Sequence, residues 1–128
     1  MAFISYNANP YKNDTIDCVI RGMSKVLSLS WDAVYIILMW KGFIEKNIFL
    51  INKIWIDTLY DLGFEMKLVP DTCPDCITVD KFAKQHQKGK YLLGTGSHVI
   101  AVVNGDYYDT WDSGEERPLY YFYRKEKE

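Results

Sequence analysis

Three residues of this chain carry the side chains that thiol-dependent acyl transfer needs: Cys18, His98 and Asp109. A thiol nucleophile, an imidazole base and a carboxylate that orients the base split one difficult step into two easier ones. Cys18 follows Asp17 at the head of a helical pattern. His98 opens the run His98-Val-Ile-Ala-Val-Val103, which turns at Asn104-Gly105 into Asp106-Tyr-Tyr-Asp109-Thr-Trp111.

The turn decides which carboxylate can meet the imidazole. Asn-Gly between two apolar runs predicts a two-residue hairpin turn, with Val103 opposite Asp106. Continuing that register sets Ile100 opposite Asp109 and His98 opposite Trp111. Alternation places His98, Ile100 and Val102 on one face with Tyr107, Asp109 and Trp111. Asp109 is then the diagonal neighbour of His98, while Asp112 points to the other face. A slip of one residue would reverse the choice. In this reading Asp109 holds Nδ1 of His98, and the other ring nitrogen faces Cys18.

Thr15 or Asp17 can cap a helix running to about Leu27, which puts Cys18 in its first turn. Free amides and the helix dipole favour a thiolate there. Ile16, Val19, Ile20, Met23 and Leu27 form the apolar stripe, and Cys18 lies outside it beside Arg21, Gly22 and Lys25. Taken singly, Cys18 also reads as a small residue at a helix start and His98 as a half-buried polar residue. The combination carries the functional reading.

A cysteine at the start of a central helix, a histidine opening a strand and Asp-x-Trp on the next strand resemble the papain-like cysteine peptidase superfamily. The stretches Asp17-Cys-Val-Ile-Arg21, Ser30-Trp-Asp32, Thr72-Cys-Pro-Asp-Cys-Ile-Thr78, Gly96-Ser-His-Val99 and Tyr107-Tyr-Asp-Thr-Trp-Asp-Ser113 resemble a group of small papain-like proteins from Firmicutes and their phages. The resemblance runs from about Asn13 to Tyr123. It implies a catalytic Cys18, His98 and Asp109, with Trp111 shielding the His98–Asp109 pair from water. One departure stands out. The superfamily usually places an oxyanion-binding glutamine six residues before the nucleophile, and Lys12 occupies that position here. Asn13 is the first candidate to replace it, with Asn7 and Asn9 behind it. Losing one oxyanion donor typically costs about two to three orders of magnitude in rate.

At 128 residues, 48% apolar and 25% charged, the chain suits one globular domain spanning 1–128. A net charge of −2 without a basic cluster argues against nucleic acid as a partner. The start Met1-Ala-Phe-Ile-Ser lacks the pattern of an export signal. The apolar region Trp31–Ile56 is broken by Lys41, Glu45, Lys46 and Lys53, so two amphipathic helices are expected rather than a membrane span. Three cysteines without an export signal suggest free thiols and a cytoplasmic location, the host cytoplasm if the chain is phage-encoded. Only 17 residues precede Cys18, too few for an inhibitory pro-domain. The mixed-charge tail from Arg124 to Glu128 reads as solvated.

Further helices are expected from the Ser30 cap to about Glu45, from about Phe49 to Asp61 before Gly63, and from the Thr78 cap to about His86. Strands are expected over 64–69, 91–93, 98–103, 106–111 and 119–123. Helices first and strands last indicate an α+β fold, N-terminal helices on a C-terminal antiparallel sheet. Trp31, Trp40 and Trp55 fall on helical patterns as core residues. Tyr120 and Phe122 share one face of the last strand, Tyr121 and Tyr123 the other. Gly94-Thr-Gly96 is a bend, and Gly96 and Ser97 form one wall of a substrate cleft beside His98.

Cys73-Pro-Asp-Cys76 leaves three readings open. It is a plain loop with two thiols, a metal half-site short of four ligands, or a redox pair. No cofactor is implied by the triad. Two functions follow. One is a thiol hydrolase acting on a peptide, isopeptide or amide bond of a protein or peptide substrate. The other is a catalytically weak or inactive binding protein on the same fold, such as a phage factor that occludes a host or defence protein.

Overall fold

The computed structural model describes residues 3–124; the first two residues and the tail 125–128, including most of the segment read as solvated, lie outside the described residues. The element order is β1 (Phe3–Ser5), α1 (Cys18–Leu27), α2 (Trp31–Glu45), α3 (Asn52–Asp61), β2 (Glu65–Leu68), α4 (Val79–Gln85), β3 (Lys90–Gly94), β4 (Val99–Val103), β5 (Asp106–Asp109) and β6 (Tyr120–Tyr123). The strands form a six-stranded sheet in the order β1-β5-β4-β3-β6-β2. The class is α+β, with N-terminal helices packed against this sheet.

The sheet differs from the expected one in two respects. It is mixed, because β1 pairs parallel to β5, Phe3 beside Tyr107 and Ser5 beside Asp109. It is also not confined to the C-terminal half, since β1 precedes all the helices, whereas β2 falls within the strand expected over 64–69. Parallel pairing needs a distant crossover and leaves no turn signal in the sequence. The remaining pairs are antiparallel. The β4–β5 hairpin has the register that Asn104-Gly105 implies: Val103 pairs with Asp106, Val102 with Tyr107 and Ala101 with Tyr108. Asn104 and Gly105 both have positive φ, 50° and 86°, as a type I′ turn requires.

The helices cover both faces. Val19, Ile20, Met23 and Val26 of α1 pack with Val34 and Leu38 of α2, Trp55 and Leu59 of α3, and Leu92, Val99, Ala101 and Phe122 of the sheet. On the other face Val79, Phe82 and Ala83 of α4 cover Leu93, Ile100, Val102 and Tyr107. Tyr121 packs on Phe82, so both faces of β6 are occupied. The α1 helix is buried around most of its circumference, Arg21 and Gly22 included, while Ile16, assigned to its stripe, lies outside the helix and is 85% exposed. Gly22 permits this close approach: a Cβ there would lie 2.6 Å from Leu92 Cδ1 and 3.2 Å from Val99 Cγ1.

Two helix caps form as their sequences indicate. Ser30 Oγ accepts from Ala33 N and Thr78 Oγ1 from Lys81 N. Trp40, in contrast, is 60% exposed and stacks on Phe43 at the surface instead of entering the core. The helix is apolar on several sides, and only the Val34, Leu38 and Gly42 side is buried. No single helix among the described residues is long and apolar enough to cross a membrane.

Candidate active site

The site lies at the end of the β4–β5 hairpin, above the start of α1. Cys18 is the first residue of α1, His98 lies between the Gly96-Ser97 bend and β4, and Asp109 closes β5. His98 and Asp109 lie beyond the Ala101–Tyr108 pair, where the ladder ends. Asp109 is still paired with Ser5 of β1. Yet His98 and Asp109 meet Cys18 and Arg21 of α1 and not the α4 side where Ile100 and Tyr107 lie, so the expected face alternation does not carry through to the site.

Asp109 Oδ2 bonds His98 through Nε2, at 2.6 Å. The expected nitrogen was Nδ1; the ring is turned the other way, so Nδ1 is the nitrogen left for Cys18. A backbone register places a ring but says nothing about its rotation, which explains the difference. Asp109 is buried and well supplied with donors. Ser113 Oγ donates to Oδ2 at 2.7 Å, the Thr110 amide donates to Oδ1 at 2.8 Å, and the Arg21 guanidinium lies 3.6 Å from Oδ1. Asp112 is engaged elsewhere, accepting from the Tyr107 hydroxyl at 2.6 Å and the Gly114 amide at 3.0 Å. Trp111 stacks on the His98 ring at 5.2 Å between centroids.

The three titrating groups bias one another toward charge separation. Burial opposes ionisation of the Cys18 thiol. The hydrogen bond to His98, a backbone bond from Val99 and the positive charges of His98 and Arg21 outweigh it and bring the thiol below its ordinary value. Burial likewise opposes the His98 cation, yet hydrogen bonds to Asp109 and Cys18 and their negative charges push the ring up to about 9. Burial raises Asp109, but His98, Ser113 and the Thr110 amide together hold it below the usual carboxylate range. The three shifts favour one another's charges: a thiolate, an imidazolium and a carboxylate in a row.

Asp17 occupies the N-cap position of α1 but makes no side-chain cap. Its carboxylate turns to Arg21 one turn later, to Trp31 Nε1 at 2.9 Å and to Asn9 Nδ2 at 3.4 Å. The first amides of α1, which have no intrahelical acceptor, are therefore left uncapped by this residue. Arg21 spans the two carboxylates of Asp17 and Asp109, and so ties the start of α1 to the end of β5. Removing one member of such a buried pair costs about 3–5 kcal/mol.

A cleft of about 200 Å³ opens over the thiol, lined by Ile16, Cys18, Val19, Leu50, Asn52, Trp55, Gly96, Ser97, His98, Val99 and Tyr120. Gly96 and Ser97 stand on its wall. Asn13 is exposed and outside this lining, its carbonyl accepting from Asn7 Nδ2 at 3.4 Å. Asn9 is buried with both arms of its amide used, on Asp17 and on the Tyr11 amide. Sequence reasoning missed Asn52, Tyr120, Arg21 and Ser113. The i,i+4 spacing of Asp17 and Arg21 was a legible signal for an ion pair. Asn52 reaches the cleft only through the packing of α3. The Trp55 indole N–H donates to Asn52 Oδ1 at 3.0 Å, fixing which arm of the amide is carbonyl and leaving Nδ2 as the second arm.

This chain matches no protein-family model, no curated protein and no solved structure. The functional reading rests on the geometry of this cleft.

The remaining cysteines do not carry free thiols. Cys73 and Cys76 are joined in a disulfide, leaving Cys18 as the free cysteine. The turn at Pro74-Asp75 brings their Cα atoms to 4.2 Å. In this form neither sulfur offers a thiolate to a metal ion, and the described residues contain no cluster of three or more metal-binding side chains.

Proposed function

We propose that this chain is a small thiol hydrolase of the papain-like kind, acting on a peptide, isopeptide or amide bond. The observation that carries the reading is the His98 imidazole, held at Nε2 by Asp109 and lining one cleft with Cys18. A helix that presents the thiol to a sheet bearing imidazole and carboxylate fits the papain-like arrangement.

In this mechanism the Cys18 thiolate attacks the carbonyl carbon of the substrate. Negative charge develops on the carbonyl oxygen beside the uncapped start of α1, where the Cys18 N–H is available, and Asn52 supplies the second donor. His98 passes its proton to the leaving amine, and the product is a thioester on Cys18. His98, now neutral, takes a proton from water, which attacks the thioester and releases the acid. Asp109 keeps the ring oriented and stabilises the imidazolium in both halves. Exclusion of water would divert the same thioester to an amine.

The experiment is a screen of fluorogenic peptide amides and isopeptides with the wild-type chain and Cys18→Ala. Turnover by the wild type alone supports the reading; equal rates for both chains contradict it. A second reading, a binding protein on this fold, is favoured by one feature. Ile36, Trp40, Phe43, Ile44 and Ile48 are each more than half exposed along α2 and its C-terminal turn. An apolar surface of that kind is typical of protein contacts.

A further inference from the structure

The Cys73–Cys76 disulfide has no part in the chemistry above. It joins residues only three apart, and closing so short a loop removes little entropy from the unfolded chain. Its contribution to the fold is correspondingly small. Cys73 is exposed and Cys76 half-buried, and both line a cleft that opens to solvent. The Arg117 guanidinium, from the loop between β5 and β6, points its Nη1 at both sulfurs, 3.6 Å from Cys73 and 3.5 Å from Cys76. Both cysteines and Arg117 line a cleft of about 450 Å³ with Thr95 and Ser97. Ser97 also lines the cleft of Cys18.

We propose that Cys73–Cys76 is a thiol–disulfide exchange site whose reaction partner is a low-molecular-weight thiol entering this cleft. The thiolate of the incoming molecule attacks the sulfur of Cys73. A mixed disulfide forms at Cys73, the Cys73–Cys76 bond breaks, and its electron pair leaves on Cys76 as a thiolate. Arg117 lies where it neutralises that charge, and a cation beside a thiol favours the thiolate. A second molecule of thiol attacks the mixed disulfide. The protein ends as the dithiol, the two incoming thiols as their disulfide, and the two protons they lost are on Cys73 and Cys76.

Other charged groups surround the pair without touching sulfur. Lys81 Nζ donates to the Cys76 carbonyl at 3.2 Å and to Asp75 at 2.7 Å. Asp71 accepts the Cys73 amide at 3.1 Å, and Glu116 stands on the cleft wall. Arg117 is the cation in contact with both sulfurs, and so the residue whose removal should be felt. The site does not depend on the hydrolase reading.

The test uses a Cys18→Ser chain, so that only this pair is counted. The folded protein is equilibrated in mixtures of reduced and oxidised glutathione, quenched, labelled with N-ethylmaleimide and weighed. Two labels appearing without denaturant, through an intermediate carrying one glutathione on Cys73, is the expected result. Arg117→Ala should slow native reduction about tenfold and move labelling of reduced Cys76 to higher pH, with Arg117→Lys recovering part of both. Arg117 is exposed, so these variants keep the fold. Labels that appear only after denaturation, a pair that stays reduced in every mixture, or an exchange rate indifferent to Arg117→Ala would each overturn the proposal.

Discussion

Asp109 grips His98 by Nε2, at 2.6 Å, which leaves Nδ1 as the ring nitrogen that can serve the Cys18 thiol. The carboxylate is itself fixed by Ser113, the Thr110 amide and Arg21, so the ring has little freedom to turn away. Asp109→Asn removes the charge that helps hold His98 at about 9 and presents an amide whose wrong arm can face the ring. The His98 pKa should fall toward its ordinary value, as followed by imidazole proton shifts in NMR. Turnover should drop by up to about four orders of magnitude. A titration that does not move would show that Asp109 does not act on the ring.

The thiol and the ring pull stability in opposite directions as pH changes. The folded-state pKa of His98 is raised, so its contribution is complete below about 6.5 and is lost as pH rises through about 9. Cys18 is lowered, so its contribution is complete above the ordinary thiol value and is lost as pH falls through its own lowered pKa. Where the two windows overlap, above the lowered Cys18 value and below about 9, the two slopes offset each other. Urea midpoints of the wild type should therefore be nearly flat over this range. Cys18→Ser keeps Asp109 against His98 and should lose stability as pH rises. Parallel profiles for the two chains would mean that the groups are not linked.

Gly22 sets how closely α1, and with it Cys18, can approach the sheet. Gly22→Ala would place a methyl group 2.6 Å from Leu92 Cδ1 and 3.2 Å from Val99 Cγ1, both in the packed core. Overpacking of this kind costs about 1–3 kcal/mol. Thermal unfolding should register the loss. Cys18 reactivity near neutral pH should fall as well, since the displaced Val99 lines the same cleft as the thiol. A destabilised chain with unchanged Cys18 reactivity would separate the packing from the site.

Asn52 and Asn13 make opposing claims to the second oxyanion donor. Both are exposed, but Asn52 lines the cleft with its carbonyl arm held by Trp55, whereas Asn13 lies on the loop before α1, outside that lining. Asn52→Ala should reduce kcat by about a hundredfold or more with little change in KM. Asn13→Ala should leave both constants near the wild-type values. The reverse pattern would return the role to Asn13.

Much of the site was legible because short-range chemistry decides it. Asn104-Gly105 demands positive φ at both positions, so the turn and the Val103–Asp106 pairing follow from a few residues. Asp109 rather than Asp112 does meet His98, but against α1 and not on the Ile100–Tyr107 face that alternation implied. Cys18 at a helix start was legible from the polar loop ahead of the apolar pattern. The features that escaped depend on distant parts of the chain. The parallel β1–β5 pairing has no local signature, and the exposure of Trp40 depends on which side of an evenly apolar helix finds a partner. Asp17 and Arg21 have helical spacing, but their burial against Asp109 required the hairpin to close over α1. Cys73 and Cys76 showed a spacing that a loop, a metal site and a disulfide can share.

The central claim is that His98 holds Cys18 as a thiolate. Its most direct measurement is the rate of iodoacetamide alkylation at Cys18 against pH, read by peptide mass spectrometry in the wild type and in His98→Ala. An unassisted cysteine titrates near about 8.5. The wild type should label rapidly well below that midpoint, and His98→Ala should lose the low-pH reactivity and return to the ordinary curve. A wild-type midpoint near that of free cysteine, unchanged by the histidine substitution, would contradict the thiolate–imidazolium pair and the hydrolase built on it.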